Sequence, residues 1–360
     1  MPDAALDLSA TSAELTAQLC DIESVSGGER ALADAIQRAL EPCAHLELVR
    51  DGDAVVARTR LGRPRRVVIA GHIDTVPVNG NLPVRRERIE GREFLWGRGT
   101  VDMKGGVAVQ LKLAAELSSP AVDVTWIWYD NEEVASELNG LGRLARNRPE
   151  LLAGDFAILG EPTNAIVEGG CNGTMRAEIR TTGIRAHSAR AWVGRNAIHG
   201  AAPVLATLAA YRPREVEVDG LVYREGLNAV GIRGGVAGNV IPDECVVTVN
   251  YRFAPGRSAA EAEEHLRELF RGFELAVTDS AEGARPGLDA PLARDFLAAV
   301  GGRAEPKYGW TDVARFSSLG IPAVNYGPGD ALKAHADDER VDVHQIAECE
   351  RGLRAWLTSS

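Results

Sequence analysis

His72 and Asp74, two side chains suited to holding or orienting a metal ion, follow the apolar run Val67-Val68-Ile69-Ala70-Gly71. β-Branched residues in a short run closed by a glycine predict a buried strand ending at Gly71. In extended chain, positions two apart share a face at roughly 7 Å. The imidazole and the carboxylate then stand together at the strand's mouth, where open α/β sheets keep their sites. Spacing alone fits a packed histidine beside a turn-forming aspartate equally well. Repetition separates the two readings. A second apolar run, 122–129, is followed by Asp130-Asn131-Glu132-Glu133, and a third, 156–159, by Gly160-Glu161-Pro162-Thr163. Three apolar strands finishing in imidazole or acid point to one shared site.

Asp102, in the glycine-rich stretch 97–106, and His335, in the loop 327–338, complete the candidate ligands His72, Asp102, Glu133, Glu161 and His335. All offer nitrogen or oxygen, a set that suits zinc, with cobalt or manganese as substitutes. Five such groups exceed the needs of one tetrahedral ion. They suffice for two ions about 3.5–4 Å apart if one carboxylate bridges them. An acid alone is ordinarily a surface residue or a helix cap, but acids placed directly after apolar strands are less often so. Neighbouring Glu132 and Glu133 need a cation or a shared proton to coexist at a strand mouth.

Of the seven histidines, His72, His187 and His335 lie in glycine- or turn-bounded stretches near acids or arginines. His45, His199 and His265 fall in regular elements, and His344 opens the last helix. No Gly-x-Ser-x-Gly elbow supports a serine hydrolase. Gly97-Arg98-Gly99 lacks the third glycine of a dinucleotide fingerprint. Cys171, in a glycine-rich joint, reads as a packed thiol.

The elements that must position these groups alternate strand and helix. Thr11-x-x-Glu14 and Ser26-x-x-Glu29 are capping-box patterns, the second ahead of a helix with Leu32, Ile36 and Leu40 on one face. Short strands are expected near 46–49 and 54–58, then the strand 67–70, a polar loop from Asn79, and a helix of Val107, Leu111, Ala114 and Leu117. From about Thr174 the texture changes. The runs 175–182 and 245–253 alternate like half-solvated strands, with a helix over 196–211, a strand over 221–232, a helix from the Ser258-x-x-Glu261 cap to Phe270, and a strand over 275–278. That β-α-β-β-α-β order is ferredoxin-like. The tail returns to alternation, with a helix over 292–300, a strand over 321–325 and a final helix through Ile346 and Leu353. The expected fold is α/β: a catalytic domain (1–173 and 284–360) with a mixed, mostly parallel sheet flanked by helices. An inserted ferredoxin-like α+β domain (174–283) interrupts it at glycine-rich joints.

A chain of 360 residues with 45% hydrophobic and 25% charged residues is of ordinary globular make-up. Its net charge of −11 argues against general affinity for nucleic acid or an anionic membrane. Residues 1–11 carry Asp3 and Asp7 and no signal-peptide pattern. No apolar run approaches the roughly 20 residues of a membrane span. Five scattered cysteines without Cys-x-x-Cys fit free thiols, so a cytoplasmic location is expected.

The motifs Gly71-His72-Ile73-Asp74-Thr75-Val76-Pro77, Gly97 to Gly106 around Asp102, Glu132-Glu133, Gly160-Glu161-Pro162-Thr163 and the late His335 resemble, in order and over nearly the whole chain, the M20 metallopeptidase and deacylase family. Four further stretches are most similar to its actinobacterial-type desuccinylase branch: 185–190, 238–243, 250–253 and 307–312. The resemblance implies a dizinc amidohydrolase with two Zn2+ per subunit, replaceable by Co2+. His72 and Glu161 would hold one ion, Glu133 and His335 the other, and Asp102 would bridge them beside a cis peptide. Asp74 would orient His72, and Glu132 would be the general base toward the attacking water. The inserted domain would be lid and homodimer interface, with His187 as an oxyanion donor supplied to the neighbouring subunit. Asn239, Arg252 and Thr311 would contact the substrate. Gram-negative desuccinylases carry an arginine pair where this chain has Cys171-Asn172-Gly173-Thr174, which leaves Arg190 as a further anion-binding candidate. The implied reaction is hydrolysis of N-succinyl-LL-2,6-diaminopimelate to succinate and LL-2,6-diaminopimelate, in lysine and diaminopimelate biosynthesis. Acetylornithine or another N-acyl amino acid is the alternative substrate. A non-catalytic binding homologue is disfavoured, because every implied ligand and Glu132 are present.

Overall fold

The computed structural model describes residues 5–359; Asp3 lies outside them. The chain divides into two compact units. The first comprises Met1–Gly169, Pro286–Glu305 and Arg315–Ser360, and the second Gly170–Arg285 with Pro306–Ala314.

An eight-stranded mixed sheet organises the first unit. Its order is Glu47–Asp51, Ala54–Arg58, Asp123–Tyr129, Arg66–His72, Phe156–Leu159, Ala323–Asn325, Val167–Gly169, Ala304–Pro306. The four strands from Asp123–Tyr129 to Ala323–Asn325 run parallel. Antiparallel strands join them on both sides. Asp123–Tyr129 is buried along its whole length, as expected of a strand covered on both faces. Helix Lys104–Glu116 packs against helices Ser12–Asp21 and Val343–Thr358. It is buried almost all round, so its first two turns are mostly apolar or glycine, and the two polar side chains there, Lys104 and Gln110, are bonded to backbone carbonyls. Phe156, Phe296, Trp356 and Tyr326 meet edge-on or tilted in the core of this unit, arrangements that aromatic rings favour.

A four-stranded antiparallel sheet organises the second unit, in the order Gly226–Gly234, Glu244–Phe253, Gly173–Thr182, Glu274–Ala281. The alternating burial of Gly173–Thr182 is that of a sheet with one face packed and one face wet. Helices Ala202–Ala210 and Ala259–Leu269 supply the packed side.

Several local expectations give way. Ser26 and Glu29 do not form a capping box. Helix Arg30–Leu40 starts after Glu29 without a side-chain cap, because both side chains are engaged elsewhere: Ser26 Oγ donates to Asp74 Oδ2 and Glu29 Oε1 accepts from Asn131 N. The strand expected to stop at Gly71 continues through His72. The loop after Asn79 runs into a hairpin, Arg85–Ile89 with Arg92–Trp96, whose arginine-rich first strand hid its β character. The helix expected over 196–211 breaks at Ala201 into Ala197–Gly200 and Ala202–Ala210, with Pro203 near the second start, where its missing N–H is tolerated. The strand expected over 221–232 divides into Leu221–Arg224, which pairs with Glu215–Val218, and Gly226–Gly234. The Thr11 and Ser258 capping boxes form.

Candidate metal centre

Register brings the chemistry together. His72, the last residue of its strand, pairs with Tyr129, the last residue of the parallel neighbour. The acidic turn 130–133 therefore leaves the sheet beside it. On the other side Ala70 pairs with Leu159, so Glu161 emerges from the next strand at a similar level. Asp102 arrives from the turn ahead of helix Lys104–Glu116, and its peptide to Met103 is cis. The helix can start this close only because residue 106 is glycine: a Cβ there would lie 2.1 Å from Gly160 O, far inside contact distance. His335 sits on its loop at φ 63°, backbone that few non-glycine residues adopt.

His72 Nε2 lies 3.1 Å from Asp102 Oδ1. His335 Nε2 lies 3.3 Å from Asp102 Oδ2 and 2.9 Å from Glu133 Oε1. One carboxylate thus reaches an imidazole with each oxygen. Candidate donor atoms of His72, Asp102 and Glu161 lie within 4.8 Å of one another, as do those of Asp102, Glu133 and His335, and those of His72, Glu132 and Glu133. The structure gathers all five predicted ligands and Glu132.

Asp74, fully buried, sits behind them. Its oxygens accept the backbone N–H groups of Glu132 and Glu133 at 2.9 and 3.0 Å and the Ser26 hydroxyl at 2.7 Å. His72 Nδ1 faces the Asp74 carbonyl at 3.1 Å and its carboxylate at 3.4 Å. In the neutral ring, with its proton on Nδ1 toward those acceptors, Nε2 would turn its lone pair toward the cluster.

The electrostatics call for a cation. Burial is the largest influence on His72 and pulls its pKa down, but bonds to Asp102 and Asp74 and the charges of Asp74 and Glu132 raise it well above its ordinary value. His335 is pushed up to about 10 by its bonds to Asp102 and Glu133. Burial works to raise the Asp102 pKa, yet contact with both imidazoles holds it well below the carboxylate range. Such a negative pocket suits a divalent cation. The donor set, two imidazoles and three carboxylates with one placed between the imidazoles, fits two.

The structure adds residues that sequence patterns did not single out. Glu339 receives the amides of Val101 and Asp102 and pairs with Arg98. Arg143 holds Asp130 with two guanidinium nitrogens, bracing the start of the acidic turn. Lys104 Nζ is buried and donates to the carbonyls of Leu19 and Ile22. None follows a patterned spacing, so the sequence carried no signal for them beyond lying near a ligand.

The remaining predicted site residues belong to the second unit. His187 is exposed on a two-residue strand paired with Val240-Ile241, and its Nδ1 accepts from Ala189 N at 3.0 Å. Arg190 is exposed on the turn that follows. Asn239 is exposed, its carbonyl accepting from Ser188 N at 2.9 Å. Arg252, on strand Glu244–Phe253, is half-buried and donates from Nε to Asn250 Oδ1 at 3.1 Å. Among the described residues no carboxylate pairs with Arg252, and burial lowers its pKa. Thr311 is buried, its carbonyl beside Cys171 Sγ. Burial pushes the Cys171 thiol up to about 11, as befits a packed rather than a nucleophilic cysteine.

A mixed α/β sheet whose strand ends gather imidazoles and carboxylates around one acidic turn defines a metal-dependent hydrolase. The sequence profile of Peptidase family M20/M25/M40 matches residues 68–359, and the chain belongs to that family. It is 46% identical, over 98% of both chains, to the succinyl-diaminopimelate desuccinylase of Corynebacterium glutamicum. It is 54% identical, over 98% of this chain and 99% of the other, to a Mycobacterium tuberculosis protein provisionally given the same name. In fold it is similar to a Staphylococcus aureus tripeptidase, with a TM-score of 0.78 at 19% identity over 98% of both chains. It is also similar to a Sulfolobus solfataricus M20 family metallo-carboxypeptidase, with a TM-score of 0.75 at 16% identity over 97% and 99%.

Proposed function

We propose that the protein is a dizinc amidohydrolase that converts N-succinyl-LL-2,6-diaminopimelate and water to succinate and LL-2,6-diaminopimelate, in the cytoplasm. The observation that carries the substrate is the near full-length similarity to the Corynebacterium glutamicum desuccinylase. His72, Asp102 and Glu161 would hold one ion, and Asp102, Glu133 and His335 the other. Bound there, two divalent ions supply an acidified water and a Lewis acid for the amide carbonyl.

The chain's own groups do the rest. Glu132 shares its turn with Glu133, and its amide is fixed by Asp74; its carboxylate would take the water's proton and return it to the leaving amine. His187 Nδ1 already accepts a backbone N–H, so in the neutral ring the proton resides on Nε2. That leaves a donor for the developing oxyanion, a contribution often worth a few kcal/mol. Arg252 offers a half-buried guanidinium with no acid partner among the described residues, suited to grip the succinyl carboxylate through two nitrogens. Asn239, Arg190 and Thr311 complete the proposed contacts.

A homodimer through the second unit is part of the same reading. Its outer strand Gly226–Gly234 exposes Val230 (60%) and Ile232 (55%), an apolar edge that an isolated chain would ordinarily blunt. Light scattering in solution checks it. Purified protein, chelated and then reloaded with zinc, is to be assayed on succinyl-diaminopimelate, acetylornithine and other N-acyl amino acids. Turnover should vanish on chelation, return with zinc and favour the succinyl substrate. Preference for acetylornithine would overturn the substrate assignment.

A further inference from the structure

Three of the ligand-bearing loops are tied to one buried ion pair. Glu339 and Arg98 are 1% and 4% exposed and meet at 2.7 Å, Arg98 Nη1 to Glu339 Oε2. The second carboxylate oxygen, Oε1, accepts the amides of Val101 and Asp102 at 3.0 and 3.2 Å. The backbone of Glu339 joins in, its carbonyl receiving Gly97 N at 3.0 Å and its amide donating to Ala336 O at 3.2 Å. Arg98 extends the connection. Its Nε donates to Pro77 O at 3.2 Å, just past the His72-Ile73-Asp74 tip, and its Nη1 reaches Ala336 O at 3.4 Å, one residue past His335. The turn carrying Asp102, the segment after His72 and the loop carrying His335 therefore share one pair of side chains.

Removing two charges from water is costly, and their mutual attraction need not exceed that cost. A buried pair is thus weak evidence for a gain in stability. This pair instead places its bonds on backbone next to three of the groups that converge on the cluster. We propose that Glu339 and Arg98 are positioning residues, which set the Asp102 carboxylate between His72 and His335 so that it can bridge two ions. The inference rests on the dizinc reading. It adds that the bridge is held by backbone bonds from a side chain which itself touches neither ion nor substrate.

The test separates positioning from stability. Glu339→Gln keeps a carbonyl acceptor for the two amides but leaves Arg98 facing an amide. The double variant Arg98→Met, Glu339→Leu removes both charges while keeping comparable apolar volume, a replacement that buried pairs often tolerate. Zinc stoichiometry and affinity are measured by titration, and the visible spectrum of the cobalt-loaded protein reports ligand geometry. Zinc titration of the unmodified chain is the control. The unmodified chain should bind two ions. The double variant should unfold near the unmodified protein's temperature yet bind its weaker zinc roughly 10- to 100-fold less tightly, the loss typical of groups that orient ligands. Its cobalt spectrum should change, and its kcat should fall with little change in KM. Glu339→Gln should show the same losses to a smaller degree. Two-zinc binding by the unmodified chain, with unaltered affinity and cobalt spectrum in both variants, overturns the positioning role while leaving the dizinc reading in place. Fewer than two zinc ions in the unmodified chain overturns the dizinc reading and the inference resting on it.

Discussion

The candidate metal-ligand cluster of the first unit and the proposed substrate contacts of the second are built on opposite terms. Around the cluster nearly every polar atom is fixed by another. Asp74 is fully buried with two amides and a hydroxyl on its oxygens, and Glu339 and Arg98 tie the loops behind Asp102. His335 is the exception, 52% exposed in its side chain but set between two carboxylates. In the second unit His187, Arg190 and Asn239 are exposed, and Arg252 has no acid partner among the described residues. Groups that must keep one geometry through every turnover gain from rigid bracing. Groups that recognise a ligand need unfilled donors, since a donor already satisfied within the protein offers little to a substrate.

Substitutions can break or sharpen that contrast. The largest effect is expected at Glu132: Glu132→Ala should lower kcat about 10³-fold or more while zinc content, measured by elemental analysis, stays at the unmodified level. Next is Asp74→Ala, which strips a buried acceptor from two amides and an imidazole. It should cost on the order of 3 kcal/mol of stability, read from denaturant unfolding, along with most activity. Arg252→Lys keeps the charge and loses the planar fork. KM for the succinyl substrate should rise about 10-fold, in line with one charge-assisted bond, with zinc content and melting temperature unmoved. A drop in zinc content there would contradict the division of labour between the two regions. The smallest effect belongs to Ser26→Ala, which removes one hydroxyl bond to Asp74 and should cost about 1 kcal/mol in the same unfolding experiment.

Four of the five candidate ligands were legible because each follows a feature with its own signal: an apolar strand for His72, Glu133 and Glu161, a glycine-rich turn for Asp102. Parallel pairing then converts strand ends into one place, so the sequence needed only to mark the ends. The bracing was not legible. Ser26 and Glu29 matched a helix-capping pattern, but cap and brace use the same side chains, and contact with Asp74 and Asn131 is decided by pairing across more than 40 residues of chain. Glu339 stands after Asp337 and Asp338, and nothing local distinguishes it from them. The hairpin Arg85–Trp96 was missed because its first strand, Arg-Arg-Glu-Arg-Ile, is mostly exposed and shows no apolar alternation. The helix break at Ala201 did carry a signal that the run of alanines and leucines masked: Gly200 closes one helix and Pro203 lies in the first turn of the next.

The short return segment Pro306–Ala314 has a practical bearing on anyone who would cut this protein apart. A gene fragment spanning 170–285 reads as a self-contained module, yet it leaves behind Lys307, whose carbonyl receives the Asn172 N–H, and Trp310, whose indole donates to Glu282 O. It also leaves behind Thr311, whose carbonyl lies against Cys171 Sγ. Expressed alone, that fragment would begin life with an open seam along Cys171 and Asn172. A transplant or swap of this module between relatives must therefore carry two pieces of chain, grafted at four junctions rather than two.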